Sequence, residues 1–220
     1  MERTIRVTGK GKLSVKPDRT RITLTLEGVF PLYEETLRAS AEDTETLRST
    51  LTALDFEPSD LKTLSFNVDA EYESYEDERH NYKQRFVGYK YIHTMKLEFD
   101  SDNERLGKVL FKLANASVSP QFRISYTVGD PEKAKNELLA RAVDDAKAKA
   151  EILAGAAGVH LGSILTVDYS MADIVFESHP VRAMAFRKSA NGAVEESYDM
   201  AIEPDNIEVS DTVTVIWSIE

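Results

Sequence analysis

The chain has 220 residues and carries 38 acidic against 27 basic side chains, a net charge of −11. That excess of acid argues against nucleic acid and anionic membrane as partners, because both are held by clustered Lys and Arg. With no cysteine in the chain, disulfides, thiolate chemistry and Cys-ligated zinc are excluded. Apolar residues make up 42% and charged residues 30%, a balance that fits a soluble globular protein with a real core.

The N-terminal residues Met1-Glu2-Arg3-Thr4-Ile5-Arg6-Val7 enter strand-like alternation directly, without the apolar segment of a secretory signal. No apolar run approaches the ~20 residues of a membrane span. The expected compartment is the cytoplasm, with the periplasm or secretion as the alternative if a leader has been trimmed. Ile5, Val7, Leu13 and Val15 alternate with polar residues, and Gly9 and Gly11 inside this run suggest a bulge or bend. Pro17-Asp18 signals a turn, and Ile22, Leu24 and Leu26 resume the alternation, so residues 3–30 read as a hairpin.

Over 33–54 the period changes. Leu37, Ala41, Thr44, Leu47, Leu51 and Leu54 recur at three and four, predicting a helix with those residues as its buried face. Residues 61–75 and 84–99 read as two strands of a second hairpin around the polar tip 76–81. Ser101-Asp102-Asn103-Glu104 matches a capping box with Ser101 as the cap, ahead of a helix whose core face holds Leu106, Val109, Leu110 and Leu113. A strand follows over 120–128. Asp130 and Pro131 then open a long alanine-rich helix over 131–157, which Gly158 stops. Residues 162–175 and 207–219 read as strands.

About thirty residues between them, 176–205, have weak periodicity. Loops longer than ~12–15 residues are uncommon and usually functional. With Phe176, Val181, Met184 and Phe186 on it, this stretch reads either as a mobile arm with a partner surface or as an ordinary extra hairpin.

The order β-β-α-β-β-α-β-α-β-β predicts an α+β fold, with three helices packed on mostly antiparallel sheet. No clean linker divides the chain. It reads as a single domain over 1–220, with two subdomains as the alternative.

Candidate chemistry is thin. Gly9-Lys10-Gly11-Lys12 lacks the helix that a phosphate loop needs directly after it. Glu71, Glu73, Glu76, Asp77, Glu78 and His80 lack the spacing of a calcium loop. The four histidines form no His-Glu-x-x-His, and no nucleophile elbow is present. A triad drawn from distant positions is not excluded by sequence. Tyr72, Tyr75, Tyr82, Tyr89 and Tyr91 cluster across one predicted hairpin. Cross-strand pairing is the simpler account, and an interface is the alternative, since Tyr is enriched at protein contacts.

Several segments together resemble the SIMPL domain family. They are Ile5-Arg6-Val7-Thr8-Gly9-Lys10-Gly11 with Val15-Lys16-Pro17-Asp18, Asp60-Leu61-Lys62-Thr63 with Tyr72, Gln84-Arg85-Phe86-Val87-Gly88-Tyr89, and Leu106-Gly107-Lys108-Val109-Leu110. The most specific are Ala142-Val143-Asp144-Asp145-Ala146-Lys147-Ala148-Lys149-Ala150-Glu151 and Gly158-Val159-His160-Leu161-Gly162, followed by Ile207-Glu208-Val209-Ser210. The turn Pro204-Asp205-Asn206 and the run Asn115-Ala116-Ser117 depart from the family pattern. The resemblance implies an α+β fold, homo-oligomerisation, no agreed enzymatic activity and a loose association with stress tolerance in bacteria. It supplies no catalytic residues.

The expectation is therefore a non-enzymatic interaction or assembly protein that self-associates, with no cofactor, no metal and no nucleic-acid or membrane partner. Tyr72, Tyr75, Tyr82, Tyr89, Phe176, Val181, Met184 and Phe186 are its candidate contact residues. The alternative is a small-molecule binder or hydrolase with a groove between sheet and helices.

Overall fold

The structure is a computed structural model of the chain, and it describes residues 3–78, 80–169, 174–179, 198 and 202–220. The strands are β1 (Thr4–Val15), β2 (Arg19–Phe30), β3 (Lys62–Glu76), β4 (Tyr82–Asp100), β5 (Gln121–Thr127), β6 (Leu161–Asp168), β7 (Glu177–Ser178) and β8 (Ile207–Ile219). The helices are α1 (Tyr33–Thr52), α2 (Asn103–Ala114) and α3 (Pro131–Ala157), with a single 3-10 turn at Pro58–Asp60. The α+β class and the order of elements follow the sequence expectation, with the two-residue β7 added. The chain forms two compact units: Met1–Asp18 with Thr127–Ser178 and Pro204–Glu220, and Arg19–Tyr126 with His179–Glu203.

In the first unit, the sheet runs β1-β8-β6. β1 and β8 pair antiparallel without interruption from Thr4↔Ser218 to Val15↔Ile207. Gly9 and Gly11 therefore mark no bulge, contrary to expectation. They lie on the face that meets α3. A Cβ on Gly9 would stand 2.0 Å from the Ala142 carbonyl oxygen, and one on Gly11 would stand 2.1 Å from that of Leu138. The alanine stripe of α3 meets bare strand backbone here, and Ala142, Ala146 and Ala150 pack fully buried against Val7, Val213, Val215 and Trp217.

The ends of α3 are set as expected. The Asp130 carboxylate accepts from the Lys133 N–H at 2.9 Å. Gly158 takes φ +68°, the left-handed conformation that favours glycine. The side chains of α3 also reach the outer edge of β1. Arg141 Nη1 donates to the Lys12 carbonyl at 3.0 Å, Asp145 Oδ2 accepts from the Lys10 N–H at 2.7 Å, and Lys149 Nζ donates to the Thr8 carbonyl at 3.5 Å. Lys149 Nζ also pairs with Asp145 at 2.7 Å. The hydrogen bonds from Lys149 and from the Lys10 N–H hold the Asp145 carboxyl below its ordinary value.

The expected β1–β2 hairpin does not form. β1 pairs with β8, while β2 pairs with β4 from Arg19↔Asp100 to Phe30↔Tyr89. Lys16-Pro17-Asp18 lacks the positive-φ residues of a tight hairpin turn. Asp18 is tied elsewhere: its N–H donates to the Thr127 carbonyl at 3.1 Å and its carboxylate accepts from the Gly129 N–H at 2.7 Å.

In the second unit, the strand order is β3-β4-β2-β5. Its core is aliphatic and aromatic, with Ile22, Leu24, Leu47, Leu97, Leu106 and Val109 fully buried. The buried face of α1 is rotated from the expected one. Thr36, Ser40, Thr44, Leu47 and Leu51 are buried, whereas Ala41 is exposed and Leu37 is 39% exposed. The two threonine hydroxyls are tolerated inward because they find acceptors on the preceding turn, Thr36 on the Leu32 carbonyl and Thr44 on that of Ser40. At α2 the cap is Asp102, not Ser101. Its carboxylate accepts from the N–H groups of Glu104 and Arg105, and the Ser101 hydroxyl instead lies 3.3 Å from that of Thr20.

Candidate interaction surface

The β3–β4 hairpin forms as the sequence predicts, closing with Glu76↔Tyr82. Its far half extends past the covering helix and is exposed on both faces. Strand alternation sorts those faces. One carries ion pairs, Arg85 with Glu73 and, near the tip, Lys83 with Asp77 at 2.8 Å. The other carries a run of aromatic rings. Tyr72 meets Phe86 at 5.7 Å between centroids, Phe86 meets Tyr89 at 5.3 Å, and Tyr89 meets Tyr33 of α1 at 5.3 Å, each edge to face. The same face holds Phe66, whose ring packs 5.2 Å from that of His93. Tyr72 is 54% exposed and Phe66, Phe86 and Tyr33 are 44–51% exposed, while Tyr89 is partly buried among them.

The ionisable groups beneath it are bound into the fold. His93 sits between two threonines, Nδ1 3.0 Å from Thr44 Oγ1 and Nε2 2.9 Å from Thr63 Oγ1. The Thr44 hydroxyl proton goes to the Ser40 carbonyl, so its oxygen accepts from an Nδ1–H, and Nε2 accepts from Thr63. Burial, with help from the Arg48 charge, pushes the His93 pKa down, favouring this neutral tautomer. The Tyr91 phenol donates to Asp43 of α1. Burial, that bond and the Asp43 charge raise its pKa well above the usual tyrosine value.

Of the eight residues singled out from sequence, Tyr72 and Tyr89 join the aromatic run. Tyr82 is the most exposed, at 82%. Tyr75 pairs with Lys83 on the opposite face of the hairpin. Phe176 is 5% exposed and packs with Leu13, Val128, Leu138 and Ile207, so it is a core residue of its own unit and is unsuited to the partner surface expected of it. Val181, Met184 and Phe186 lie outside the described residues. Parts of the 176–205 stretch that are described are docked: Tyr198 packs on Phe111 at 5.6 Å, and the Ile202 carbonyl accepts from Asn103.

Tyr33, Phe66 and Phe86 were not singled out from sequence. Hairpin register is the signal that finds two of them, because counting back from the tip sets Phe86 against Tyr72 and carries the same face along to Phe66.

The acidic tip gathers no cation site. Glu73 is paired with Arg85 and Asp77 with Lys83, and among the described residues no group of three or more His, Asp or Glu side chains is placed to hold a metal. An open depression of about 390 Å³ lies between the end of α1 and the start of α2, lined by Leu54, Asp55, Asp102, Glu104, Arg105 and Lys108. Arg105 is taken up there by stacking on Phe56, 4.2 Å from the ring centre.

The SIMPL family, described as a protein of unknown function (DUF541), matches residues 5–217. The chain belongs to the SIMPL family. It is also similar to the 26 kDa periplasmic immunogenic protein of Brucella melitensis biotype 1, with 27% identity over 98% of this chain and 84% of that one. The protein of the same name in Brucella abortus is 26% identical over the same shares. Those names place the relatives in the periplasm, which goes against the cytoplasm expected here from the N-terminal residues. Among the described residues no helix is long and apolar enough to cross a membrane.

Proposed function

We propose that this SIMPL protein is a non-enzymatic assembly protein that associates with copies of itself through the aromatic face of the β3–β4 hairpin. The observation that carries this reading is the run Tyr72–Phe86–Tyr89–Tyr33, three of whose rings, Tyr72, Phe86 and Tyr33, are about half exposed, while the opposite face of the hairpin is ion-paired. Aromatic side chains supply large contact area at low entropic cost. Such a face costs free energy in water unless something covers it. The non-enzymatic part is supported by His93 and Tyr91, whose polar atoms are engaged by Thr44, Thr63 and Asp43.

Light scattering after size-exclusion chromatography tests the proposal. The wild-type chain is expected to elute as an oligomer, and a Tyr72→Ser/Phe86→Ser double variant is expected to shift to monomer with its circular dichroism unchanged. A wild-type monomer at high protein concentration overturns it.

A role in stress tolerance and the compartment are part of the same proposal. The names of the Brucella relatives favour the periplasm over the cytoplasm. Fractionation of the host cell decides the compartment, and survival of a deletion strain under heat or oxidant decides the role.

A further inference from the structure

Three sheet edges in this protein are built differently. That of β1 is closed by α3, whose Arg141, Asp145 and Lys149 bond its outward backbone groups. That of β6 is broken by register shifts on both sides of Ile164. Both are known ways of blunting an edge against pairing. The edge of β3 has neither protection over its middle. Its register with β4 shifts between Thr63 and Ser65, where Leu64 is the extra residue, and between Glu71 and Tyr72, where the extra residue is Val87 of β4, which leaves Ser65–Glu71 as seven residues in one register with β4. Among the described residues no strand pairs with its outer side.

We propose that β3 pairs antiparallel with β3 of a second copy of this chain, with the two-fold axis at Val68. The proposal deepens the self-association reading and rests on it. Val68 is the midpoint of Ser65–Glu71, so this register uses all of that single-register stretch, while a shift of the axis to Asn67 or Asp69 uses only five residues of it.

Charge agrees with this arrangement and excludes axes further along the strand. Asp69, Glu71, Glu73 and Glu76 crowd the second half of β3, and the first half carries only Lys62. Antiparallel pairing about Val68 sets Asp69 against Asn67, Glu71 against Ser65 and Glu73 against Thr63 of the other copy. An axis at Asp69 or Ala70 sets acid against acid, and parallel pairing stacks the acidic halves together. About Val68, Phe66 also lies against Ala70, so the aromatic face continues from one copy into the other.

The cysteine-free sequence makes the test direct. Directly opposed antiparallel residues have Cα atoms about 4.5–5.5 Å apart, within reach of a disulfide. Under mild oxidation, full-length Val68→Cys is expected to form a covalent dimer. Phe66→Cys and Ala70→Cys are expected to link only when mixed with one another, which covers the case where Val68→Cys folds poorly.

Asn67→Lys, which meets Asp69 twice per dimer, is expected to tighten association. Asn67→Asp is expected to weaken it, each change being roughly 2- to 30-fold in the dissociation constant for two cross-strand pairs. An oligomer that neither cross-links nor responds to Asn67 overturns the β3 seam and leaves self-association standing. A monomer removes both. Weakening by Asn67→Lys places the axis on Asn67 and overturns the stated register. A Val68→Cys/Met184→Cys variant that closes a bond within one chain puts the protein's own segment on this edge and overturns the proposal.

Discussion

The two cores of this protein are built on opposite principles. Around α3, closeness replaces bulk: Ala142, Ala146 and Ala150 lie against strand backbone at Gly9 and Gly11, where there is no room for even a methyl group. Around α1 and α2, bulk fills space, with Leu47, Leu97, Leu106 and Leu110 packed among Phe56, Phe99 and Tyr91. The two should therefore fail in opposite directions, the first by adding atoms and the second by removing them.

Leu106→Ala gives the largest expected effect. It removes a fully buried side chain and should cost on the order of 2–5 kcal/mol. Gly9→Ala adds one carbon that would stand 2.0 Å from the Ala142 carbonyl oxygen and 2.4 Å from the Ala146 nitrogen. Neither atom can move without shifting the helix, and a loss of about 3 kcal/mol is expected. Both are measured by denaturant unfolding. The single tryptophan, Trp217, lies in the α3 core, so its fluorescence follows that unit while circular dichroism follows both. If Gly9→Ala proves neutral, the close-approach account of the first core is wrong.

The fold was largely legible because its signals are local. The period of α3, its Asp130 cap and its Gly158 stop all act within a turn or two of the residues that show them, and the expected bounds 131–157 are the observed ones. Where the expectation failed, the cause was distant. Gly9 and Gly11 were read as a bulge because nothing nearby in sequence announces a helix arriving 130 residues later. Ser101 lost the capping role to Asp102 because its hydroxyl faces Thr20. Leu37 lost its place in the core because the Thr36 and Ser40 side of α1 turns inward, a choice made by the packing of the sheet beneath. The candidate surface was half legible. Tyr72 and Tyr89 were visible as a cluster, but which rings share a face depends on the hairpin register and on where α1 sets Tyr33.

A smaller effect sharpens the contrast within the leucine-rich unit, where His93 is a buried titratable group. Its folded-state pKa lies below the unfolded value near 6.5. The unfolded chain therefore binds the proton first as the pH falls. The stability that His93 contributes is present in full above about pH 6.5, declines below it, and levels off beneath the folded-state pKa. His93→Gln should flatten this dependence below about pH 6.5 relative to wild type, as read by unfolding midpoints at each pH. An unchanged slope would show that the proton is taken up elsewhere.

The smallest effect has the opposite sign and isolates what makes Gly9 special. Gly155 lies in the last turns of the same helix α3, and a Cβ there would meet nothing within 4 Å. With no close approach to preserve, Gly155 only weakens the helix, since glycine loses more backbone freedom on folding than alanine. Gly155→Ala should stabilise the protein by about 0.5–1 kcal/mol, a rise of roughly 1–4 °C in the midpoint followed by Trp217 fluorescence. The same substitution 146 positions apart in the chain then destabilises where β1 meets the middle of α3 and stabilises in the last turns of that helix. The chemistry of the two changes is identical, so the loss at Gly9 reports the closeness of β1 to α3 and the gain at Gly155 reports helix propensity. If Gly155→Ala destabilised as Gly9→Ala does, the distances would not be what distinguishes them, and the close-approach account of the α3 core would fall.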